Sequence, residues 1–387
     1  MSMDTRFLVV GAGIAGASAA FELARAAGGE NVVLVEREDH PGYHATGRSA
    51  ALYTETYGGP ETRSVISALA RASRPFLDRP PTGFSDHPIL TDRGVVLLAR
   101  QDQSAAAETV FAECRDLCRD LALIEGPMVE ALIPVLRPGH IASAVYEPHA
   151  KDIDVDALHQ GYLKGFRAAG GTVRTATEVL HVERRGARWQ AGTTAGPATA
   201  DSVINAAGAW ADAVAERAGL RPLGLRPLRR TAITFDPPPG IDVAPWPMAI
   251  DIDMTFYFKP DAGRILASPA DETPSPPTDA QPEELDVAIA VDRLQTATTM
   301  SIDRIAHKWA GLRSSFPDEL PAVGPDPGEP SFVWLAGQGG YGIKTSPALA
   351  RLAAAFAIGA DVPADIANRG LDAEKVAPAR LRHRARS

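Results

Sequence analysis

The spacing that most directly implies chemistry is Gly11-Ala12-Gly13-Ile14-Ala15-Gly16, with Glu36 twenty residues beyond the last glycine. Glycine at the first position permits a tight turn, at the second it lets backbone approach a pyrophosphate, and at the third it lets a helix lie close on a strand. A helix opening at such a turn presents N–H groups and a partial positive charge to phosphate. Glu36 is then placed to accept from the hydroxyls of an adenosine ribose that carries no 2′-phosphate. The implied chemistry is dinucleotide binding, and the motif by itself does not separate FAD from NAD. Other candidates carry less. Cys114 and Cys118 stand four apart in a helical stretch with no third or fourth ligand, so no metal is expected. Asp251 and Asp253 flank Ile252 in an apolar strand, where capping or lining is expected rather than cation binding.

The elements needed to position these residues are legible around them. Residues 7–10 form an apolar run, residues 15–27 are strong helix formers closed by Gly28-Gly29, and residues 31–36 are apolar again: a parallel strand-helix-strand unit. Later, Asp154 can cap a helix over 155–169, Gly170-Gly171 stop it, and 172–182 alternates like a strand. Residues 184–201 then read as a hairpin or meander leading into a strand at 202–205 and the turn Ala206-Ala207-Gly208. Near the end, Thr345-Ser346-Pro347 reads as a cap followed by proline at the first helical position, with helix to Phe356. Between these units, and again over 221–305, prolines and aromatics replace strand-helix alternation, which suggests a second, largely antiparallel domain. Residues 236–240 and 269–282 are too rich in proline for a sheet interior, and the latter reads as an exposed, mobile excursion. Arg380, Arg382, His383, Arg384 and Arg386 read as a solvated, frayed end rather than a nucleic-acid arm.

Composition bounds what such a chain can do. Its 387 residues are enough for two domains. With 22% charged and 45% hydrophobic residues it is neither disordered nor fibrous. The balance of 39 Lys+Arg against 48 Asp+Glu, a net charge of −9, disfavours nucleic acid and anionic membrane surfaces as partners and leaves a small molecule as the default. Two cysteines fit a reducing compartment. The N-terminus lacks the pattern of a secretory signal, and the longest weakly polar stretch, 349–360, is broken by Arg351. A cytoplasmic protein without an integral membrane segment is expected.

Beyond these readings the chain resembles, over nearly its whole length, the family of FAD-dependent D-amino-acid, glycine and sarcosine oxidases, and within it the bacterial D-arginine dehydrogenases most. The resemblance is carried by residues 7–16, 41–51, 152–163, 203–210, 256–260, 309–313 and 337–344. It implies an α/β fold: a Rossmann-like FAD-binding domain of the glutathione-reductase type, discontinuous over 4–86, 150–220 and 306–375, and an α+β substrate domain with an antiparallel sheet over 87–149 and 221–305, followed by a tail, 376–387. Gly11, Gly13, Ala15, Gly16, Glu36 and Arg37 would hold the adenosine and diphosphate end of FAD. Ala45, Thr46, Gly47, Arg48, Ser49, Ala50, Ala51 and Leu52 would run along the phosphates and the isoalloxazine. Val179 would meet the adenine through its backbone, with Ala207, Gly208 and Trp210 nearby. Gly339, Gly340, Tyr341, Gly342, Ile343 and Lys344 would lie beneath the flavin N1 and C2=O edge, where an ammonium and a helix N-terminus favour the negative charge of reduced flavin.

For the substrate, the resemblance points to Arg230 and Arg313 as carboxylate-binding guanidiniums, to Tyr257 as a pocket tyrosine, to Tyr57 on a lid, and to Gly340 beneath the substrate. Lys344, Tyr57 and Tyr257 would be the catalytic groups. Three positions depart from the family pattern. Leu52 stands where the D-arginine enzymes carry a histidine, Gly94 is the counterpart of the acid that holds their substrate guanidinium, and Arg313-Ser314-Ser315 lacks the cysteine that attaches FAD in sarcosine oxidases. Non-covalent FAD and a more apolar pocket for neutral amino acids are the resulting expectations. The implied reaction is oxidative deamination of a D-amino acid, by hydride transfer from Cα to flavin N5, giving the 2-oxo acid and ammonia. A secondary amine such as an N-methyl or cyclic amino acid, a 2-hydroxy acid, a non-catalytic flavin or nucleotide sensor, and an NAD-dependent dehydrogenase are the competing readings. The electron acceptor and the oligomeric state stay open.

Overall fold

The computed structural model describes residues 3–383, the His383 side chain excepted. The apolar runs at the N-terminus form adjacent parallel strands, Met3–Val10 and Val32–Val35, in the register Phe7↔Val32 to Val10↔Val35. They are central to an eight-stranded sheet. Gly196–Asn205 lies on the other side of Met3–Val10, Thr172–Arg174 beyond Val32–Val35, and Val179–Arg185 and Arg188–Thr193 form the expected meander at the far edge. Phe332–Ala336 joins Gly196–Asn205 in parallel and is itself paired with Ala322–Pro325. The helices Ile14–Ala27, Arg63–Asp78, Val155–Ala168 and Gly342–Ala357 bury the largest apolar cluster against one face, while Trp189, Phe332 and Trp334 anchor the opposite one. A strand buried on both faces has no need of alternation, which is why Val32–Val35 is apolar throughout.

A nine-stranded sheet carries the rest. Its order is Thr273–Pro274, Arg226–Phe235, Arg264–Ser268, Tyr257–Asp261, Met248–Asp251, Val95–Ala99, Ser143–Glu147, Ala122–Glu125, with His307–Ser315 also on Arg226–Phe235. Every pair is antiparallel except Met248–Asp251 with Val95–Ala99. A small sheet of Leu52–Tyr53, Lys151–Ile153 and Leu90–Asp92 lies apart from the two.

Several expectations are corrected. The strand anticipated over 172–182 is broken, with Ala176 at φ 49; Ala176 and Thr177 give their N–H groups to the Glu38 and Glu36 carbonyls. The helix expected to begin at Pro347 begins at Gly342. Proline is tolerated in its second turn because the carbonyl that would have received its missing N–H, that of Ile343, accepts from Ser346 Oγ at 3.0 Å. Residues 307–315, assigned to the first domain, pair instead along Arg226–Phe235, so the boundary at 306 falls ahead of a strand of the second sheet. The Pro-rich excursion is tied down. Thr273–Pro274 forms an edge strand, where the proline leaves no internal ladder bond unmade, and Asp271 and Asp279 bind Thr231 and Arg48. The C-terminal arginines are also engaged as far as 382: Ala379–His383 is a short helix, Arg380 pairs with Asp318 and Arg382 with Asp326. Arg384 and Arg386 lie outside the described residues.

Candidate functional site

The glycine turn folds as its residue types require. Gly11 has φ +96, and a β-carbon there would stand 2.6 Å from the Ala206 carbonyl oxygen; at Gly16 it would stand 1.7 Å from that of Gly11. The turn is braced from outside. Ile14 N donates to Thr46 Oγ1 at 2.9 Å, so the loop supplies a cap for the helix, and buried His159 donates through Nε2 to the Ala12 carbonyl at 2.8 Å. Glu36 accepts from Ala12 N at 2.7 Å through Oε2 and from Glu38 N at 3.0 Å through Oε1. That fixes the carboxylate at the strand end and leaves each oxygen a further lone pair for a ligand hydroxyl.

One cavity runs from this turn to the second sheet. Gly11, Gly13, Ala15, Glu36, Arg37 and Val179 line one end, with Ala207, Gly208 and Trp210; Ala45, Thr46, Arg48, Ser49, Ala50, Ala51 and Leu52 line its length. Gly339, Gly340, Tyr341, Gly342, Ile343 and Lys344, with Tyr257, Arg230 and Arg313, line the other end. Gly16 and Gly47 are not on the wall. Gly16 serves helix-strand contact, and Gly47 N closes a turn onto the Gly42 carbonyl at 2.8 Å. Tyr57 is also off the wall, yet a β-carbon at Gly340 would stand 2.7 Å from its Oη and 2.9 Å from Arg313 Nη1, so these three converge. Arg48 reaches the cavity, but its guanidinium is committed: it donates to the Ala310 carbonyl at 2.8 Å and the Ala280 carbonyl at 3.0 Å and pairs with Asp279. Gly94, expected opposite a substrate side chain, lies elsewhere. It sits at φ +71 in a turn against Tyr146 and Pro247, so the argument for a roomier pocket rests on Leu52 alone.

Residues that sequence reasoning passed over also line the cavity, among them Tyr43, His44, Thr177, Glu178 and Arg217. Arg37 lies over the Trp210 ring at 4.3 Å, His44 lies tilted at 47° to the same ring with centroids 4.7 Å apart, and both Arg37 and His44 engage Glu38. His44 stood within the family-like stretch and could have been found there. Thr177 and Glu178 are brought in only by the break at Ala176, which no alternation signals.

At the second-sheet end, Arg230 is 7% exposed. Its Nε donates to the Asp271 carbonyl and its Nη2 to Glu272, both at 2.7 Å, while Nη1 is buried with no hydrogen-bond partner among the described residues. Burial, and then the charge of Arg313, push its pKa below the ordinary arginine range. Arg313 makes no hydrogen bond or ion pair among the described residues. A guanidinium with a free buried N–H beside a second unpaired guanidinium is a site for a planar anion. Lys344 stands in the first turn of Gly342–Ala357, 2% exposed, with Nζ donating to the Thr54 carbonyl at 2.7 Å and lying 5.0 Å from the Tyr57 ring centroid. Burial lowers its pKa to about 8, against the opposing pull of Glu147 and Glu55.

These residues suit FAD. The backbone cradle with no room for a β-carbon lies at one end, an acid waits at ribose spacing, and the ammonium and helix N-terminus lie at the other end. Comparison with known proteins agrees. The chain is 29% identical over 370 residues to glycine oxidase from Pseudomonas aeruginosa, covering 91% of this chain and 94% of that protein. It is 23% identical over 390 residues to mitochondrial dimethylglycine dehydrogenase of Mus musculus, covering 93% of this chain but spanning only 43% of that longer protein. Among solved structures, glycine oxidase from Geobacillus kaustophilus superposes with a TM-score of 0.81 at 22% identity, over 96% of this chain and 99% of the other. Iminodiacetate oxidase from Chelativorans sp. BNC1 gives 0.80 at 21%, over the same shares. The family model for FAD dependent oxidoreductases, DAO, matches residues 6–356, and the chain belongs to that family as an FAD-dependent oxidoreductase.

Proposed function

We propose that the protein oxidises the Cα–N bond of a neutral amino acid held by its carboxylate, the first sheet with its helices serving FAD and the second sheet serving the substrate. The observation that carries this reading is the buried, unpartnered Nη1 of Arg230 beside Arg313 at the far end of the cavity that begins at the glycine turn. Two forks fix the carboxylate and so orient Cα. Tyr257, buried on the strand facing that end, and Tyr57, over Gly340, exclude water from the reacting carbon. Lys344 places a positive charge where the acceptor gains negative charge. FAD, bound non-covalently, supplies the two-electron acceptor. The substrate loses a hydride from Cα and a proton from nitrogen, and water converts the resulting imino acid to the 2-oxo acid and ammonia. Preference for the D-form is supported by the resemblance to D-amino-acid oxidases, and preference for neutral side chains by Leu52.

A second reading is a secondary amine, N-methylated or cyclic. It is favoured by Lys344 at the helix start and by relatives named for dimethylglycine and iminodiacetate. An anaerobic absorbance scan with D-amino acids, L-amino acids and N-methyl amino acids separates the two. Bleaching by neutral D-amino acids supports the first reading, and bleaching by N-methyl amino acids alone replaces it with the second. If no amino acid of any class bleaches the flavin, both fail.

A further inference from the structure

Among the described residues, Lys344 is a buried cation with no carboxylate in contact, and not far away is a buried anion with no cation in contact. Glu147, at the end of the strand Ser143–Glu147, is 2% exposed and forms no ion pair among the described residues. Its carboxylate is held by neutral donors of one short segment: Thr54 Oγ1 at 2.5 Å and Thr56 Oγ1 at 2.7 Å on Oε2, and Glu55 N at 2.9 Å on Oε1. The carbonyl of that same Thr54 accepts from Lys344 Nζ. The two charges are thus joined through a single residue, which gives its side-chain proton to the acid and its carbonyl to the ammonium.

We propose that Glu147 is the positioning residue for the Lys344 ammonium: it locks segment 54–56 so that the Thr54 carbonyl fixes Nζ, and its charge balances the cation across the segment. The inference rests on the reading of Lys344 as the charge facing the flavin. Thr56 N donates to Thr54 Oγ1 at 3.2 Å, and Arg63 Nε donates to the Thr56 carbonyl at 3.3 Å, so the segment is braced from both sides. Other ionisable groups near the pair are Glu55, whose carboxylate accepts from Tyr53 Oη at 2.9 Å, Tyr57 over Nζ, Arg63, which is ion-paired with Glu113, and the buried thiols Cys118 and Cys114. None of these supplies Glu147 with a positive partner. A carboxylate kept unpaired in the interior and spent on three neutral donors is costly to fold around, and the position of Lys344 gives it a purpose.

The test is the pH dependence of the bound flavin's midpoint potential in holoenzyme, with thermal melting recorded alongside. The wild type should show an inflection where Lys344 titrates. Glu147→Gln, near-isosteric but uncharged, should move that inflection to lower pH by about one unit, a tenfold change in the protonation equilibrium. Glu147→Asp should restore it, and Lys344→Met should abolish it in either background. If Lys344→Met leaves the inflection in place, the reading of Lys344 fails. If Lys344→Met removes it while Glu147→Gln leaves it unmoved, the role of Glu147 fails, whatever happens to the melting temperature. Should Glu147→Gln not retain FAD, Thr56→Val decides: it keeps the charge, drops one donor, and should shift the inflection the same way by less, whereas no shift overturns the proposal.

Discussion

Arg230 and Arg313 are diagonal neighbours on one face of a pair of antiparallel strands. Arg313 stands opposite Leu228 and Arg230 opposite Gly311, so the two side chains leave the sheet on the same side, two positions apart. Gly311, opposite Arg230, lets the Arg48 side chain pack close: a β-carbon there would stand 3.4 Å from Arg48 Cβ. The result is two guanidiniums aimed into one cavity, with a single acidic side chain among the described residues, Glu272, ion-paired to either of them.

That arrangement favours an anion. Burial disfavours the Arg313 charge, yet Tyr57, Tyr257, Glu272 and Asp271 outweigh it and hold the pKa of Arg313 above the ordinary arginine value, while that of Arg230 is lowered by burial and by Arg313. Arg313→Leu should leave the melting temperature of the ligand-free protein little changed, because a desolvated charge and the attractions that offset its burial are lost together. It should also weaken a carboxylate ligand by tenfold or more, about 1.4 kcal/mol. Melting curves with and without acetate check both halves. A variant that is less stable and binds acetate as well as wild type would mark Arg313 as a structural residue.

Glu272 accepts from Arg230 Nη2 and is largely exposed, so it competes with a substrate carboxylate for the same fork. Glu272→Gln should tighten carboxylate binding a few-fold and lower KM with little change in kcat, the pattern of a ground-state interaction removed. A rise in KM would show that Glu272 orients Arg230 rather than competing with the ligand.

How much of this was legible before the fold was known follows from which signals are local. The glycine turn and Glu36 belong to one strand-helix-strand unit, whose geometry is set within 26 residues of sequence, so motif and structure coincide from Gly11 to Glu36. Lys344 is placed by family likeness, yet reading Thr345 as the cap and Pro347 as the first helical position sets the helix start five residues after Gly342, where the helix begins. Arg230 and Arg313 are 83 residues apart in sequence, and only strand register makes them neighbours. Glu147 carries no local signal. Its importance comes from three hydrogen bonds to residues more than ninety positions away, for which neither periodicity nor spacing provides a signal.

Gly340 lies where Tyr57 Oη and Arg313 Nη1 both stand within 3 Å of the position a β-carbon would take. Its φ is not in the left-handed region, so Gly340→Ala strains no backbone and acts through space alone. The expected outcome is an enzyme that keeps FAD and its fold but has KM raised at least tenfold, since Tyr57 and the fork of Arg313 must give way. Gly11→Ala should differ in kind. At φ +96 and 2.6 Å from a carbonyl, the added methyl costs about 1–3 kcal/mol in backbone strain alone and should abolish FAD retention. Flavin content after gel filtration separates the two variants, and equal flavin loss would refute the distinction.

Lys344 predicts opposite pH trends for stability and for catalysis in one window. Its pKa is about 8 in the folded protein against an ordinary 10.5. Below pH 8 it is protonated in both the folded and the unfolded chain, and the burial penalty is felt in full. Between pH 8 and 10.5 the folded protein releases the proton while the unfolded chain keeps it, so this residue's contribution to stability rises with pH, by up to about 3 kcal/mol in all. Cys114, raised by burial to about 11, works the other way above pH 9, so the comparison has to be made against Lys344→Met rather than against pH alone. The difference in unfolding free energy between the ligand-free variant and wild type should favour the variant at pH 7 and shrink toward pH 10.5. On the proposed role of Lys344, flavin reduction draws on the positive charge, so its rate in wild type should fall as the ammonium loses its proton with rising pH, while Lys344→Met should be slower by about a hundredfold and flat across the same range. A variant whose stability difference did not change between pH 7 and 10.5 would show that the amine is not the group titrating there, and a variant that kept the alkaline fall in rate would assign that fall to another residue.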